Sequence, residues 1–190
     1  KVVETLITGS TRSIMEAADR EILGNLSTLK VLGESDQLRS GNLESFYKQI
    51  ERALGGSNTY VYVLDANFDT LLSTRTSFGA PKVKSNSPEA AQKALATRGP
   101  VITGVVLGAV SKRLVFNVLY PEYGTAVGDV VLGISRDASS LNAALNADKL
   151  PDGWKVAMVD ADGKVIEASD GADTPGQAFA LADITAVGTT

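Results

Sequence analysis

The chain has 190 residues, of which 44% are apolar and 21% charged, and a net charge of −4. This is the composition of one globular domain, or of one domain with a second small lobe. It contains no His and no Cys, which excludes disulfides, thiol nucleophiles and Cys-based metal sites and removes the commonest general base. The weakly acidic charge provides no basic surface for nucleic acid. We therefore expect a chain that is not an enzyme and that carries no cofactor or metal.

No apolar run reaches the roughly 18 residues that a membrane-spanning helix needs, and no signal peptide is visible. The chain opens in Lys1-Val2-Val3-Glu4 without an initiator Met. We interpret it as a fragment of a longer protein, and we expect any membrane anchors to lie outside it.

The first 32 residues contain no Pro and predict one long helix, from Lys1 to Leu32. Apolar side chains recur along one face of it at Val3, Ile7, Ile14, Ala18, Ile22, Leu26 and Leu29. At about 1.5 Å per residue the helix would be roughly 45–50 Å long, which is more than one small domain covers. It can be an ordinary core helix or a stalk that continues from a membrane helix. As a stalk, it would pair with itself in a homodimer.

Gly33 is placed to end this helix, and a polar loop is predicted from there to Gly41. Asn42 is a favourable N-cap for a second helix, which Gly55-Gly56 ends. A third helix is predicted further on, with Ser87 as its cap, Pro88 at its first position and Gly99 after its end.

Strand signals begin with Thr59–Leu64, which is β-branched and aromatic, and resume at Leu71–Thr74. The turn between them, Asp65–Asp69, resembles the start of a calcium loop, but Thr70 stands where such a loop needs Gly. We expect a hairpin turn, because Asp and Asn tolerate turn geometry. Three more strands are predicted at Val101–Val106, Leu114–Tyr120 and Asp129–Ser135.

The last third of the chain repeats part of this pattern. Asp137 is placed to cap a short helix that carries Leu141 and Leu145. A second hairpin follows, with strands at Trp154–Asp160 and Lys164–Ala168. This second hairpin resembles the first: each consists of an apolar strand that ends in Asp, a short turn and a return strand.

The order of these elements resembles the double Cache (PDC, PAS-like) sensor domains of bacterial histidine kinases, chemoreceptors and diguanylate cyclases. The resemblance is clearest in Leu43–Leu54, Tyr60–Thr74, Gly99–Tyr120 and Gly128–Leu141. It implies an α+β fold in which a long N-terminal helix packs on a PAS-like antiparallel sheet. It also implies three parts, a helical region over residues 1–55, a membrane-distal lobe over 56–147 and a small or partial membrane-proximal lobe over 152–190.

Polar residues within the presumed sheet are the candidates for ligand binding. Asn117 interrupts an apolar strand, and a buried amide must find partners, so it either ties down a loop or faces a ligand. Gly133 lies mid-strand, where it permits close approach of another group. The candidate ligand-binding residues are Tyr60, Tyr62, Arg113, Asn117, Tyr120 and Ser135. Aromatic and Arg side chains on a concave sheet suit a small anionic or carbonyl ligand. Core packing for each Tyr, and solvent exposure for Arg113, are the alternatives.

The amino-acid-binding members of the resembled family carry an Arg-x-Trp-Tyr element after the first hairpin and an Asp at the end of the last strand. This chain reads Arg75-Thr76-Ser77-Phe78 in the first place and Ser135 in the second. Both differences argue against an α-amino-acid ligand, because its ammonium would lack a carboxylate partner.

These observations predict the periplasmic ligand-sensing domain of a membrane-bound bacterial signal-transduction receptor. We favour a sensor histidine kinase, with a chemoreceptor or a diguanylate cyclase as alternatives. The ligand is expected to be small and polar, with carboxylates as the candidate class, and to shift the long helix when it binds. A pilin-like assembly subunit is the structural alternative, but its N-terminal half-helix would have to be strongly apolar. Here that segment carries Glu4, Arg12, Glu16, Asp19, Arg20 and Glu21.

Overall fold

A computed structural model of the chain describes residues 2–138, 157–159, 163–168 and 176–178. The helices are α1 (Val2–Gly33), α2 (Asp36–Arg39), α3 (Leu43–Leu54) and α4 (Pro88–Thr97). The strands are β1 (Tyr60–Leu64), β2 (Thr70–Ser73), β3 (Val101–Ile102), β4 (Val106–Leu107), β5 (Leu114–Thr125), β6 (Gly128–Asp137), β7 (Ala157–Val159) and β8 (Val165–Ala168). Among the helices described, none has the length and apolar character to cross a membrane.

The main sheet has six strands in the order β2-β1-β6-β5-β3, and β4 pairs separately with β5. Every pairing in it is antiparallel. The two long strands β5 and β6 form its centre and stay paired from Val115 opposite Asp137 to Thr125 opposite Gly128. The predicted α+β fold, with a long N-terminal helix on a PAS-like antiparallel sheet, is confirmed.

One face of the sheet, called the helix face below, is covered by α1, α2 and α3. Its core consists of Leu29, Leu32, Leu38, Phe46, Ile50, Val61, Val63, Leu72, Val118, Val130, Leu132 and Ile134. Alternate residues of each strand point to the same side of a sheet, which is why every second residue of β6 belongs to this core. The helix face is apolar and holds most of the fully buried side chains in the described residues.

The helix α1 runs without a break through Gly9 and Gly24, as predicted. Its later apolar residues contact the domain itself, since Leu29 is fully buried and Ile22 and Leu26 pack against the helix-face core. Pairing of α1 with a second copy stays a prediction.

The opposite face, called the cavity face, is covered only in part by α4. Ala91 and Ala94 of that helix pack on Leu64, Leu119 and Val131 of the sheet. Because α4 is short and its contacting residues are small, it leaves the neighbouring part of this face open to form a cavity.

Three local predictions were wrong in detail. The expected loop after Gly33 contains the one-turn helix α2, which is anchored by the fully buried side chain of Leu38. The helix α4 is closed by Arg98 rather than by Gly99, and Arg98 adopts the left-handed conformation with φ of 51°. The predicted strand from Val101 to Val106 is broken into β3 and β4.

The break between β3 and β4 has a clear cause in hydrogen bonding. The backbone N–H of Asn117 on β5 donates to the side-chain Oγ1 of Thr103 at 2.9 Å, where a strand would offer a carbonyl oxygen. The Thr103 N–H donates in turn to the Asn117 carbonyl oxygen at 2.9 Å. A side chain therefore replaces one position of the ladder, and the edge strand divides there.

The second hairpin is present as β7 and β8, which pair antiparallel from Ala157 opposite Ala168. Lys164, just before β8, forms a bridge with Ala178. The helix predicted after Asp137, with Leu141 and Leu145, lies outside the described residues. The division into lobes at residues 56–147 and 152–190 stays a prediction.

Candidate functional site

A cavity of about 60 Å³ lies on the cavity face beside α4. Its floor comes from β1, β2, β5 and β6, and its rim from residues 85–87 before α4 and residues 106–111 around and after β4. The space corresponds to about four to six water molecules, at roughly 10–15 Å³ for each. It can therefore hold a molecule of only a few non-hydrogen atoms.

Two larger depressions lie at the margins of the domain. One of about 260 Å³ follows the end of α3, and one of about 360 Å³ lies along the outer edge of β2. The smaller cavity is the better candidate for a ligand site, because buried polar side chains converge in it.

Four buried polar residues line this cavity: Ser73, Ser87, Asn117 and Ser135, each between 6 and 8% exposed. Strand register explains why three of them meet. Ser135 on β6 stands opposite Asn117 on one side and Tyr60 on the other, and Ser73 on β2 stands opposite Tyr62. Residues that are opposite in register share one face of a sheet, so these side chains must point into the same space.

Tyr62 lies across Gly133 on the floor of the cavity. A Cβ atom placed on Gly133 would be 2.2 Å from Cζ of the Tyr62 ring, so any larger residue would displace the ring. The predicted close approach at Gly133 is confirmed, and the approaching group is Tyr62. Burial raises the pKa of the Tyr62 phenol far above its ordinary value, so its hydroxyl stays neutral and able to donate a hydrogen bond.

Arg75, just after β2, is a cation held in the cavity wall. Its guanidinium lies 3.8 Å from the centre of the Tyr60 ring, an arrangement that favours a cation. Its Nη2 donates to Oδ1 of Asp137 at 2.6 Å and lies 3.5 Å from Oγ of Ser135. The side chain is 11% exposed, and among the described residues no acceptor reaches its buried Nε.

Asp137, the last residue of β6, bridges two guanidiniums. Its Oδ1 accepts from Arg75 and its Oδ2 from Nη1 of Arg113 at 3.2 Å. Burial by itself raises the pKa of this carboxyl, but the hydrogen bonds and positive charge of Arg75, and then of Arg113, outweigh it, and the pKa is lowered. The Asp137 carboxyl is therefore ionised at neutral pH.

Ser87 was predicted to cap α4, but its side chain makes no capping hydrogen bond. Its Oγ is buried on the cavity, and within the described part of the chain it has no hydrogen-bond partner. The preceding residue, Asn86, donates from Nδ2 to the carbonyl oxygen of Leu107. This contact joins the two segments that form the cavity rim.

The structure brings four of the six predicted site residues together, since Tyr60, Tyr62, Asn117 and Ser135 all line the cavity. The Asn117 amide also donates to Oγ1 of Thr103 at 3.3 Å, so it ties down a loop as well as facing the cavity. Contact of these residues with a ligand stays a prediction.

The other two predicted residues lie elsewhere. Tyr120 is on the helix face, packed against the core beneath α1, because it stands three residues from Asn117 and strand side chains alternate. Arg113 lies outside the cavity lining with its side chain 73% exposed, and it reaches the site only through Asp137.

Sequence reasoning did not select Arg75, Ser73 or Ser87 as site residues. The sequence did contain a signal for Arg75, because this residue stands at the first position of the family's Arg-x-Trp-Tyr element. The prediction used only the missing Trp and Tyr of that element, as an argument against an amino-acid ligand. The end of the last strand also needs correction. The strand β6 continues past Ser135 to Asp137, so an acidic residue does close the strand, and it is bound to two Arg side chains.

No protein-family profile and no curated protein matches the sequence. Solved structures do match the fold. The ligand-binding domain of the amino-acid chemoreceptor PctC of Pseudomonas aeruginosa PAO1, in complex with GABA, has a TM-score of 0.61 at 17% identity, over 87% of this chain and 74% of that one. The sensory domain of the Campylobacter jejuni chemoreceptor Tlp3 has a TM-score of 0.63 at 18% identity, over 93% and 74%.

A third match is the ligand-binding domain of the Pseudomonas aeruginosa PAO1 chemoreceptor PctB in complex with L-Arg, with a TM-score of 0.60 at 14% identity, over 87% and 63%. At these identities the likeness is one of fold. The chain shares its fold, which is of the Cache type, with these three domains of bacterial chemoreceptors. In the described residues, no group of three or more Asp, Glu, His or Cys could hold a metal ion.

Proposed function

We propose that this chain is the extracytoplasmic ligand-sensing domain of a membrane-bound bacterial receptor, and that it binds a small carboxylate in the cavity. The fold supports sensing, because PctC, PctB and Tlp3 are ligand-binding or sensory domains of chemoreceptors. Such a domain binds rather than converts its ligand, which fits the absence of His and Cys from the sequence.

The observation that supports the ligand class is Arg75, a residue that lines the cavity and whose buried Nε has no hydrogen-bond partner in the described part of the chain. A buried polar group without a partner costs about 1–3 kcal/mol. A guanidinium binds carboxylates strongly, through short charge-assisted hydrogen bonds. The stacking of Arg75 on Tyr60 fixes the guanidinium plane before ligand arrives, which lowers the entropy lost on binding.

The strand β6 connects the cavity to α1. Ser135 and Asp137 lie on the cavity face, while Arg136 between them points to the helix face. There Arg136 donates from Nε to Oε1 of Glu21 on α1 at 2.8 Å, and from Nη1 to Oγ1 of Thr59 at 2.7 Å. A ligand that moves the end of β6 would therefore move its contact with α1. We propose this ion pair as the mechanical link between ligand and signalling helix.

The output of the receptor is a separate question from its ligand. A sensor histidine kinase is the output proposed from the sequence. The solved domains compared above belong to chemoreceptors, and a chemoreceptor fits the chain equally well.

A thermal-shift screen of small organic acids tests the ligand class. A ligand at about 100 times its dissociation constant adds roughly 2.7 kcal/mol of stability, which is readily measured. Arg75→Gln should abolish the shift. Arg98→Gln is the matched control, because Arg98 also lies over a Tyr ring, that of Tyr123 at 4.8 Å, away from the cavity. Stabilisation by sugars or amines but by no carboxylate would contradict the proposal.

A further inference from the structure

We infer that the site selects carboxylates that lack an ammonium group, and that Arg113 sets this selectivity without touching the ligand. The inference rests on the proposed function, since it concerns the charge of the ligand in the same cavity. It follows from three charged side chains at the end of β6: Arg75, Asp137 and Arg113.

Both carboxylate oxygens of Asp137 are already engaged. Oδ1 accepts from Arg75 at 2.6 Å and Oδ2 from Arg113 at 3.2 Å. The ammonium of an amino acid needs an anionic partner. None of the residues that line the cavity is acidic, and Asp137, which closes β6, is paired with the lining residue Arg75. To bind there, the ammonium would have to displace a guanidinium or crowd against two positive charges.

The balance of charge points the same way. Two guanidiniums and one carboxylate leave the trio with a net charge of +1. A single carboxylate ligand neutralises that charge, whereas a zwitterion leaves it uncompensated. Without Arg113 the Arg75–Asp137 pair would be neutral, and the negative charge of Asp137 would cancel the attraction of Arg75 for an anionic ligand. With Arg113 present, a second positive charge compensates Asp137, and Arg75 can attract the ligand carboxylate.

The backbone of Arg113 is hydrogen-bonded to the cavity rim, although Arg113 itself lies outside the lining and its side chain is exposed. Its carbonyl oxygen accepts from the N–H of Gly108 at 2.8 Å, and the N–H of Lys112 donates to the Gly108 carbonyl oxygen at 3.1 Å. A Cβ on Gly108 would be 2.2 Å from Oγ of Ser111, so a larger residue there would have to displace the Ser111 side chain. The same turn lines the cavity through Gly108, Ala109, Val110 and Ser111.

Titration calorimetry on the 190-residue chain with two matched ligand pairs tests the inference. The probes are propionate with L-alanine, and butyrate with 4-aminobutyrate; the members of each pair differ by one ammonium group. The native chain should prefer each simple carboxylate by about tenfold or more, as expected when a charge is left unmatched near a partly buried site.

The variant Arg113→Gln should weaken propionate binding by about 3- to 10-fold and leave L-alanine binding unchanged or stronger, because the lost charge acts through a partly exposed pair. A purely structural role of Arg113 would weaken both ligands equally. Arg113→Lys should restore the preference. Lys112→Gln is the control: it removes the same charge one residue away and leaves the Asp137 contacts intact. Its preference should stay within about twofold of the native value.

The outcomes separate the two proposals. Tighter binding of L-alanine than of propionate by the native chain, or an unchanged preference in Arg113→Gln, overturns the inference and leaves a carboxylate-binding sensor standing. Absence of binding for all four probes contradicts the proposed ligand class and this inference with it. Weaker salt dependence of propionate binding in Arg113→Gln than in the native chain would support the charge argument directly.

Discussion

The two faces of the main sheet use the same strands for different purposes. On β6, Val130, Leu132 and Ile134 are fully buried in the helix-face core. The residues between them, Gly133 and Ser135 among them, belong to the cavity face, where they leave room and supply hydrogen-bonding groups. One face is filled by apolar side chains and holds the fold together. The other is incompletely filled and lined with buried polar groups, a combination that lowers stability and suits ligand binding.

Substitutions on the two faces should therefore change different properties of the domain. On the helix face, loss of a methylene group leaves a cavity and lowers the free energy of unfolding, because the closely packed neighbours move only partly into it. On the cavity face the space already exists, so loss of a side chain should alter binding more than folding. We therefore expect substitutions on the helix face to lower stability and substitutions on the cavity face to weaken ligand binding.

The largest effect is expected for Phe46→Ala on α3. Phe46 is fully buried in the helix-face core, and its truncation should lower the free energy of unfolding by about 3–5 kcal/mol. Urea unfolding measures it. Phe78→Ala is the matched control, because Phe78 is 41% exposed and its ring centre lies 5.7 Å from that of Tyr47. An equal loss in the two variants would remove the distinction between buried core and surface.

Gly133→Ala should be the most damaging small change on the cavity face. Its new methyl group would meet the Tyr62 ring, so the ring must move into the cavity at a cost of about 1–3 kcal/mol. Ligand binding should be lost at the same time.

A double-mutant cycle tests the cause of that loss. A Tyr62→Ala background removes the three atoms that lie nearest to the added methyl group, so the cost of Gly133→Ala should largely disappear. Gly24→Ala is a contrasting control in α1, where no atom of the described residues, apart from the neighbouring helix backbone, lies within 4 Å of the added Cβ. It should stabilise the domain by about 0.5–1 kcal/mol, as Ala does over Gly in a helix. If Gly133→Ala costs the same with or without the Tyr62 ring, the contact argument fails.

Arg136→Gln should break the link between the two faces. The Arg136 and Glu21 side chains are 17% and 23% exposed, and losing the pair should lower stability by about 1–3 kcal/mol, as for an unpaired buried polar group. Ligand affinity should change little, since Arg136 points away from the cavity.

Hydrogen exchange provides the decisive measurement for this link. In the native chain, ligand should slow amide exchange both in β6 and in the part of α1 around Glu21. In Arg136→Gln the protection should remain in β6 and be lost in α1. The control is Arg39→Gln, which removes ion pairs with Glu34 and Glu122 and changes no residue of the cavity lining. Unaltered protection of α1 in Arg136→Gln would show that the signal takes another route.

The smallest effects should come from two carboxyls with opposite pH dependence. Glu122, beside Gly33 at the end of α1, has its pKa raised by burial, and then by Glu34, against the lowering influence of Arg39 and a backbone hydrogen bond. Asp137 has its pKa lowered in the folded state despite its burial, because of Arg75 and Arg113.

The signs follow from proton linkage. The native state favours protonated Glu122, so its contribution to stability is present below the ordinary pKa of 4.5 and is lost as the pH rises through the higher folded pKa. Asp137 contributes stability above its ordinary pKa of 3.8, and this is lost as the pH falls through the lower folded pKa.

Thermal unfolding over an acid-to-neutral pH series should therefore show stability changes of opposite sign for the two substitutions, both of which increase in size as the pH rises. The stability gained by Glu122→Gln relative to the native chain should grow as the pH rises through the folded pKa of Glu122. The stability lost by Asp137→Asn should also grow as the pH rises, but at a lower pH. The same sign of stability change for both variants at neutral pH would contradict one of the two assignments.

Local patterns in the sequence predicted most elements correctly. The cap on α3 is an example: the Ser45 N–H donates to Oδ1 of Asn42 at 3.1 Å. The first hairpin turn is another, because Oδ1 of Asp65 accepts from the N–H groups of Asn67 and Asp69. Such contacts join residues two to four apart in the chain, and residue type with spacing is enough to predict them. Strand alternation was equally readable, and it could have separated Tyr120 from Asn117, since three positions apart on a strand means opposite faces.

By itself, then, the sequence determined the periodicity of helices and strands, their caps and turns, and the resemblance to Cache-type sensors. Only the tertiary structure decided which polar groups form the site. Arg75 meets Asp137 across 62 residues of chain, and that contact depends on β1 and β6 pairing with Tyr60 opposite Ser135. The same pairing brings the Arg75 guanidinium over Tyr60, where its buried Nε has no hydrogen-bond partner among the described residues. No local propensity encodes that arrangement, because it arises from the register of strands far apart in the sequence and from the incomplete cover that a short helix of small residues gives to one face of the sheet.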